Sequence, residues 1–160
     1  MKLSTRAIYG LRALIDLGLF SENDNVSLQS IANRQGISVA YLEQLMAMLK
    51  KAGMVTSSRS ASGGYRLACP PDKITAGDVL RVLEGGLEAV KCQGESGAGA
   101  CMNVSEEGVC QSAELCVAKY VWKRINDSIT DAVDNLTLAE LISESRKAHD
   151  RAPETATQLK

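Results

Sequence analysis

Residues 38–53, SVAYLEQLMAMLKKAG, read as a single helix, and the organisation of the chain follows from what flanks it. Ser38 is an N-cap, because its hydroxyl can accept a hydrogen bond from a free amide of the first turn. Gly53 can adopt the left-handed conformation that closes the far end. Val39, Leu42, Leu45, Met46 and Leu49 recur at three- and four-residue spacings and build one apolar face. The opposite face carries Ala40, Glu43, Gln44, Ala47 and Lys51. Small residues alternate there with two planar hydrogen-bonding side chains, where a merely solvated helix would carry Glu–Lys pairs. Gln pairs bidentately with adenine, and Glu accepts from the amino group of cytosine. The pattern is that of a helix that reads base edges.

Upstream, Ser4 caps a helix from about Thr5 to Phe20, with Ile8, Leu11, Leu14 and Ile15 on its apolar side, and Val26 reads as a very short strand. Ser27 caps a short helix, LQSIANRQ, that Gly36 breaks before Ser38 begins the next. Helix, glycine turn, helix is a helix-turn-helix. Downstream, Met54–Arg59 and Tyr65–Leu67 read as two strands around the loop SASGG, which makes a wing. Gly63 and Gly64 offer bare amides to a sugar-phosphate chain, and Arg59 and Arg66 flank the tip. Pro70-Pro71 ends the hairpin, and Thr75 opens a helix with Asp78 near its positive end.

The segment from Cys92 to Cys110 changes character. It is rich in Gly, Ala, Ser and Glu and too poor in core formers to hold one shape alone. A long helix is expected from about Ser112 to Val133, with Val117, Tyr120, Val121, Ile125, Ile129, Ala132 and Val133 as a stripe and Trp122 near its start. Such a helix either packs back on its own domain or pairs with a second copy. Thr137–Glu140 is a capping box for a last short helix. From Arg146 the chain reads as a frayed tail in which His149 is solvated.

Composition narrows the class. The 160 residues suit one compact domain with an extension. No run of apolar residues is long enough to span a membrane, and the N-terminus lacks a signal-peptide core, which places the protein in the cytoplasm. The net charge of −1 hides an asymmetry: residues 1–67 hold eight Lys and Arg against four Asp and Glu, and the remainder holds ten against fifteen. A basic front half fits a phosphate-binding surface. Five cysteines without a secretion signal point to metal or thiol chemistry rather than disulfides. Four of them, Cys92, Cys101, Cys110 and Cys116, follow the spacing C-x8-C-x8-C-x5-C. Structural zinc favours tight C-x2-C knuckles, whereas wide thiolate loops can wrap an iron–sulfur cluster. The spacing alone leaves an iron–sulfur cluster, zinc and a thiol redox switch open. The helix start near Cys110 favours a thiolate. Cys69 stands apart with no assigned role. The absence of C-x-x-C, of a cysteine-linked histidine and of a βαβ frame argues against a thiol oxidoreductase, and no enzyme is expected.

Several blocks in order then carry a resemblance: MKLSTRAIYGLRALIDLG at the start, RQGISVAYLEQL around the reading helix, GGYRL in the wing, KCQG at the first clustered cysteine and NLTLAEL after the long helix. Over about residues 1–145 the sequence resembles the IscR-type iron–sulfur winged-helix transcription regulators, a group that includes the nitric-oxide sensor NsrR and the cysteine regulator CymR. The resemblance implies a mainly α fold with a small β wing, a winged helix-turn-helix plus a long dimerisation helix. It implies a homodimeric regulator, repressor or activator, of a double-stranded DNA operator. The expected division is a DNA-binding domain over 1–86, a cysteine-rich cluster-binding loop over 87–111, the dimerisation helix and a short C-terminal helix over 112–147, and a disordered tail over 148–160. Expected DNA contacts are Ser38, Ala40, Tyr41, Glu43 and Gln44, then Arg59, Gly63, Gly64 and Tyr65 in the wing, with Lys51 added from the reading helix. Cys92, Cys110 and Cys116 match the cluster cysteines of the family. Two departures concern the fourth ligand: Lys119 stands where IscR has a histidine, and Ile8 where NsrR-like proteins have an acidic residue. Cys101, an additional cysteine in a longer loop, is assigned that place. The cluster is 2Fe-2S or 4Fe-4S. The alternative is a metal-free or zinc-binding winged-helix regulator that senses redox state or a protein partner through its thiols.

Overall fold

The computed structural model describes residues 3–21, 24–58, 63–88 and 116–151. Six helices and one hairpin form these parts: α1 Thr5–Phe20, α2 Leu28–Gln35, α3 Val39–Lys51, β1 Val55–Ser58, β2 Gly64–Leu67, α4 Ala76–Glu84, α5 Ala118–Asp134 and α6 Leu138–Arg151. A 3-10 turn, Pro71–Lys73, joins the hairpin to α4. The fold is the expected one, mainly α with a small antiparallel wing.

The helix starts follow from single side chains. The Ala7, Ser30 and Tyr41 amides donate to the hydroxyls of Ser4, Ser27 and Ser38 at 3.3, 3.2 and 3.2 Å. α4 opens on a capping box in which the Thr75 amide donates to the Asp78 carboxylate and the Asp78 amide to the Thr75 hydroxyl. Thr137 and Glu140 repeat the device at α6. Gly36 ends α2 at φ 66°, and Gly53 follows α3 at φ 75°, conformations that a side chain would oppose.

The core sits around α1. Leu14 and Leu17 meet Ile31 of α2, Leu42, Leu45, Met46 and Leu49 of α3, Leu83 of α4 and Leu138 of α6, all buried. α6, grouped from sequence with the dimerisation helix, therefore contributes to the same core as the helix-turn-helix. Its start is stitched to that of α4: the Ala76 amide donates to the Leu136 carbonyl and the Leu138 amide to the Ile74 carbonyl, both at 2.8 Å. The end of α5 is held by Arg81, whose guanidinium grips the Asp134 carboxylate through two bonds of 2.8 and 2.7 Å. That pairing raises the Arg81 pKa and lowers that of Asp134.

Two expectations need correction. The long helix starts at Ala118, not near Ser112, and Cys116 stands just before its first turn. The last helix is not short and the chain is not frayed from Arg146, because α6 continues through His149 to Arg151. The expected tail lies outside the described residues from 152 on. An ion pair between successive turns supports the added length: Lys147 meets Glu144 at 2.7 Å.

Candidate nucleic-acid interface

The apolar face of α3 determines what its other face can do. With Leu42, Leu45, Met46 and Leu49 buried, Ser38, Ala40, Glu43, Gln44, Ala47 and Lys51 are held at the surface. Rotation of the helix would expose four large apolar side chains, each worth about 2 kcal/mol of burial. Tyr41 differs from the other expected contacts on this helix. It is half-buried, and its ring packs edge-on against that of Tyr9 in α1, with centroids 6.3 Å apart.

The wing is fastened to this helix at two places. The Lys50 ammonium donates to the Ser57 hydroxyl in β1 at 2.5 Å. The Met54 amide donates to the Leu49 carbonyl at 3.0 Å, closing the turn between α3 and β1. Sequence reasoning passed over Lys50, because nothing local shows that a side chain at the end of α3 lies over the hairpin.

β1 and β2 pair with Val55 opposite Leu67 and Ser58 opposite Gly64. Val26 extends this sheet, as its amide and carbonyl both bond to Tyr65 at 2.8 Å. The contact gives Gly64 a structural reason to be glycine: a Cβ there would lie 2.6 Å from the Val26 carbonyl oxygen. Tyr65 is half-buried against the core, and Gly63 is half-buried beside it. Arg59 lies outside the described residues. Arg66 does not flank the tip; it pairs with Thr56, two positions inward, and lines an open cavity of about 400 Å³ with Gly18, Cys69, Ile142 and Arg146.

The cysteine site is described only in part. Cys92, Cys101 and Cys110 lie outside the described residues. Cys116 is half-buried, and its carbonyl accepts from the Lys119 amide at 3.3 Å in the first turn of α5. The start of α5 thus lies beside Cys116 rather than near Cys110. Among the described residues no three His, Cys, Asp or Glu side chains come close enough to hold a metal ion. Lys119 is exposed next to Cys116. Beside them the face of α5 is bare: Val117, Tyr120 and Val121 are 80%, 65% and 48% exposed. Farther along, Ile129 is half-buried and Val133 packs against the core of the domain. No described helix is long and apolar enough to cross a membrane.

This geometry agrees with what known proteins show. Residues 3–144 match the family described as Rrf2, an iron-dependent transcriptional regulator. The chain is 38% identical over 145 residues to the HTH-type transcriptional regulator IscR of Vibrio vulnificus, covering 91% of this chain and 79% of that one. Its structure is similar to that of T. potens IscR, with a TM-score of 0.72 and 37% identity over 98% of this chain and 96% of that one. It is equally similar to CymR (YrzC), the global cysteine regulator of B. subtilis, with a TM-score of 0.72 and 36% identity over 90% and 98% of the two chains. These relatives are regulators and not enzymes. A helix-turn-helix with an exposed polar face on its second helix, a wing fastened to it and the match over nearly the whole chain together place this protein in the Rrf2 family of transcriptional regulators.

Proposed function

We propose that the chain binds operator DNA as a homodimer, with α3 in the major groove and the wing against the adjoining backbone, and that an iron–sulfur cluster on its loop cysteines adjusts this binding. The observation that carries the reading is the α3 surface. Glu43 and Gln44 are exposed on a helix that its own core prevents from turning. Gln44 is the candidate adenine reader. Glu43 is a gate that accepts from cytosine and repels phosphate where no donor faces it. Ser38, Ala40 and Tyr41 line the entry turn, Lys51 attracts phosphate, and Arg59, Gly63, Gly64 and Tyr65 form the wing contact.

The bare face of α5 supports pairing with a second copy. A partner α5 would cover Val117, Tyr120, Val121 and Ile125, which remain exposed in the single chain. Two paired chains would present two α3 helices to half-sites about one helical turn apart.

For the cluster, the fit rests on donor chemistry. Four thiols occur in one stretch, and Cys116 is partly exposed at the positive end of α5. Cys92, Cys101, Cys110 and Cys116 would hold the cluster, with Cys101 as the fourth ligand. When bound, it supplies a thiolate cross-link that responds to iron supply and redox state. Cys116, standing immediately before α5, then joins the loop to the helix whose bare face pairs. A change at the loop reaches DNA only through a free-energy difference between two placements of the paired α3 helices.

The test is anaerobic purification with an absorption spectrum and iron and sulfide counts, followed by DNA binding with and without the cofactor. A visible band lost in Cys92→Ala supports the reading, and a band fully retained in Cys101→Ala removes Cys101 from the ligand set. A colourless wild type with stoichiometric zinc, or with no metal and a redox-dependent DNA affinity, favours the thiol-sensing alternative.

A further inference from the structure

Among the described residues Asp16 is the one charged side chain that is fully buried, at 3% exposure. It lies on the inward face of α1 with Ala13 and Leu17. A carboxylate in such a place is costly unless it is paired and hydrogen-bonded. Asp16 is both. Arg34 donates to it as a fork, Nε to Oδ2 at 2.9 Å and Nη2 to Oδ1 at 2.6 Å, and Gln35 Nε2 adds a bond of 2.9 Å to Oδ2. Arg34 and Gln35 are the last two residues of α2, directly before the turn at Gly36 that leads into α3. The Arg34 guanidinium also stacks over Phe20, 4.2 Å from its ring centroid.

The connection continues past Gln35. Its Oε1 accepts from Arg12 Nε at 3.0 Å. The Arg12 guanidinium lies 5.4 Å from the centroid of Tyr9, and Tyr9 meets Tyr41 edge-on at an interplanar angle of 86°. Tyr41 sits in the first turn of α3, where its amide donates to the Ser38 cap. A line of directional contacts therefore runs from a buried carboxylate to the first turn of α3 and touches all three helices. It grips the helix-turn-helix on both sides of its turn.

We propose that Asp16 is a positioning residue: through Arg34, Gln35, Arg12, Tyr9 and Tyr41 it sets the angle at which α3 presents Glu43 and Gln44, and so governs sequence discrimination rather than general DNA affinity. The proposal rests on α3 as the helix that enters the groove. Hydrogen bonds to base edges depend on angle, whereas attraction to phosphate does not distinguish sequences. Tyr41 belongs to this line of contacts and fastens the helix.

The experiment compares binding to two probes, the preferred duplex that the wild type recovers from a randomised pool and the unselected pool itself, over a series of salt concentrations. Arg12→Met is the informative variant, because Arg12 is exposed and its loss leaves the core intact. It should keep the salt slope of the wild type and lower the thermal midpoint by only a few degrees, while the ratio of specific to non-specific affinity falls severalfold, up to about five- to tenfold, the ceiling set by the worth of one hydrogen bond and one cation–π contact. Asp16→Asn should lower the ratio at least as far and the thermal midpoint as well. Arg12→Met combined with Tyr41→Leu should be no worse than the more damaging single change, since both break one line. An unchanged ratio in Arg12→Met, or a salt slope lowered by about one with the ratio intact, overturns the proposal and makes Arg12 a phosphate contact. If the wild type enriches no sequence from the pool, the assignment of α3 as reader fails and the proposal falls with it. If it enriches one and the variants discriminate as well as the wild type, only the positioning role fails.

Discussion

α3 and α5 carry the same kind of pattern and meet opposite fates. Each has a stripe of large apolar residues at helical spacing. α3 buries Leu42, Leu45, Met46 and Leu49 completely, whereas α5 has no buried residue and leaves Val117, Tyr120 and Val121 open. The difference lies in neighbours. α3 is wedged against α1, α2 and α4, while among the described elements α5 packs mainly against α4, where Arg81 holds Asp134. A satisfied apolar face leaves the polar face of α3 free for a second task. An unsatisfied one makes the apolar face of α5 a task in itself, because exposed apolar patches mark interaction surfaces.

Substitutions should separate these two faces. The largest effect is expected from Val121→Glu, which places a charge on the bare face: the chain should sediment as a monomer and lose operator binding while its thermal midpoint as a monomer stays put. Leu45→Ala in α3 should do the reverse, costing about 2–5 kcal/mol of folding stability by denaturant titration, because it empties a packed site. Ser38→Ala removes the cap of α3 and should cost about 1 kcal/mol in the same titration. The smallest effect is the response to acid. Arg81 bonding to Asp134, Ser4 bonding to Glu84 and Thr137 bonding to Glu140 each lower the carboxylate pKa. Stability from these groups is therefore complete at neutral pH and is lost as pH falls through the ordinary carboxylate range and below. Arg81→Met should flatten the acid limb of a pH–stability curve without altering the shape of the curve above neutrality.

Most of the fold was legible because local chemistry and tertiary demand agree in it. Ser4, Ser27, Ser38 and Thr75 cap where a capping residue should, and the apolar periodicity of α2 to α4 matches what is buried. The stripe expected on α1 does not: of Ile8, Leu11, Leu14 and Ile15 only Leu14 is buried, Ile8 is exposed, and the inward face is instead Ala7, Gly10, Ala13, Leu14 and Leu17. The misreadings have physical causes. Residues just before α5 carry helix-compatible side chains, so nothing in the sequence showed that the helix waits until Ala118. α6 was cut short because its last turns are polar, though i,i+3 pairing and its anchored start sustain it. Gly64 has a second reason to be glycine that the sequence does not display, because the Val26 backbone occupies the space beside it, a contact between residues far apart in sequence. Asp16 was detectable in principle, as a charged residue in phase with Ala13 and Leu17 on the inward side of α1. Its partners were not, because Arg34 and Gln35 reach it across a fold that the sequence does not display.

The most direct measurement is the affinity of the wild type and of Gln44→Ala for the wild type's selected duplex and for each single base-pair change in it. The account predicts that Gln44→Ala loses about 1–3 kcal/mol on the parent duplex and becomes indifferent at one base-pair position per half-site, with preferences elsewhere retained. A profile for Gln44→Ala that matches the wild type at every position would contradict the claim that the exposed side of α3 reads sequence.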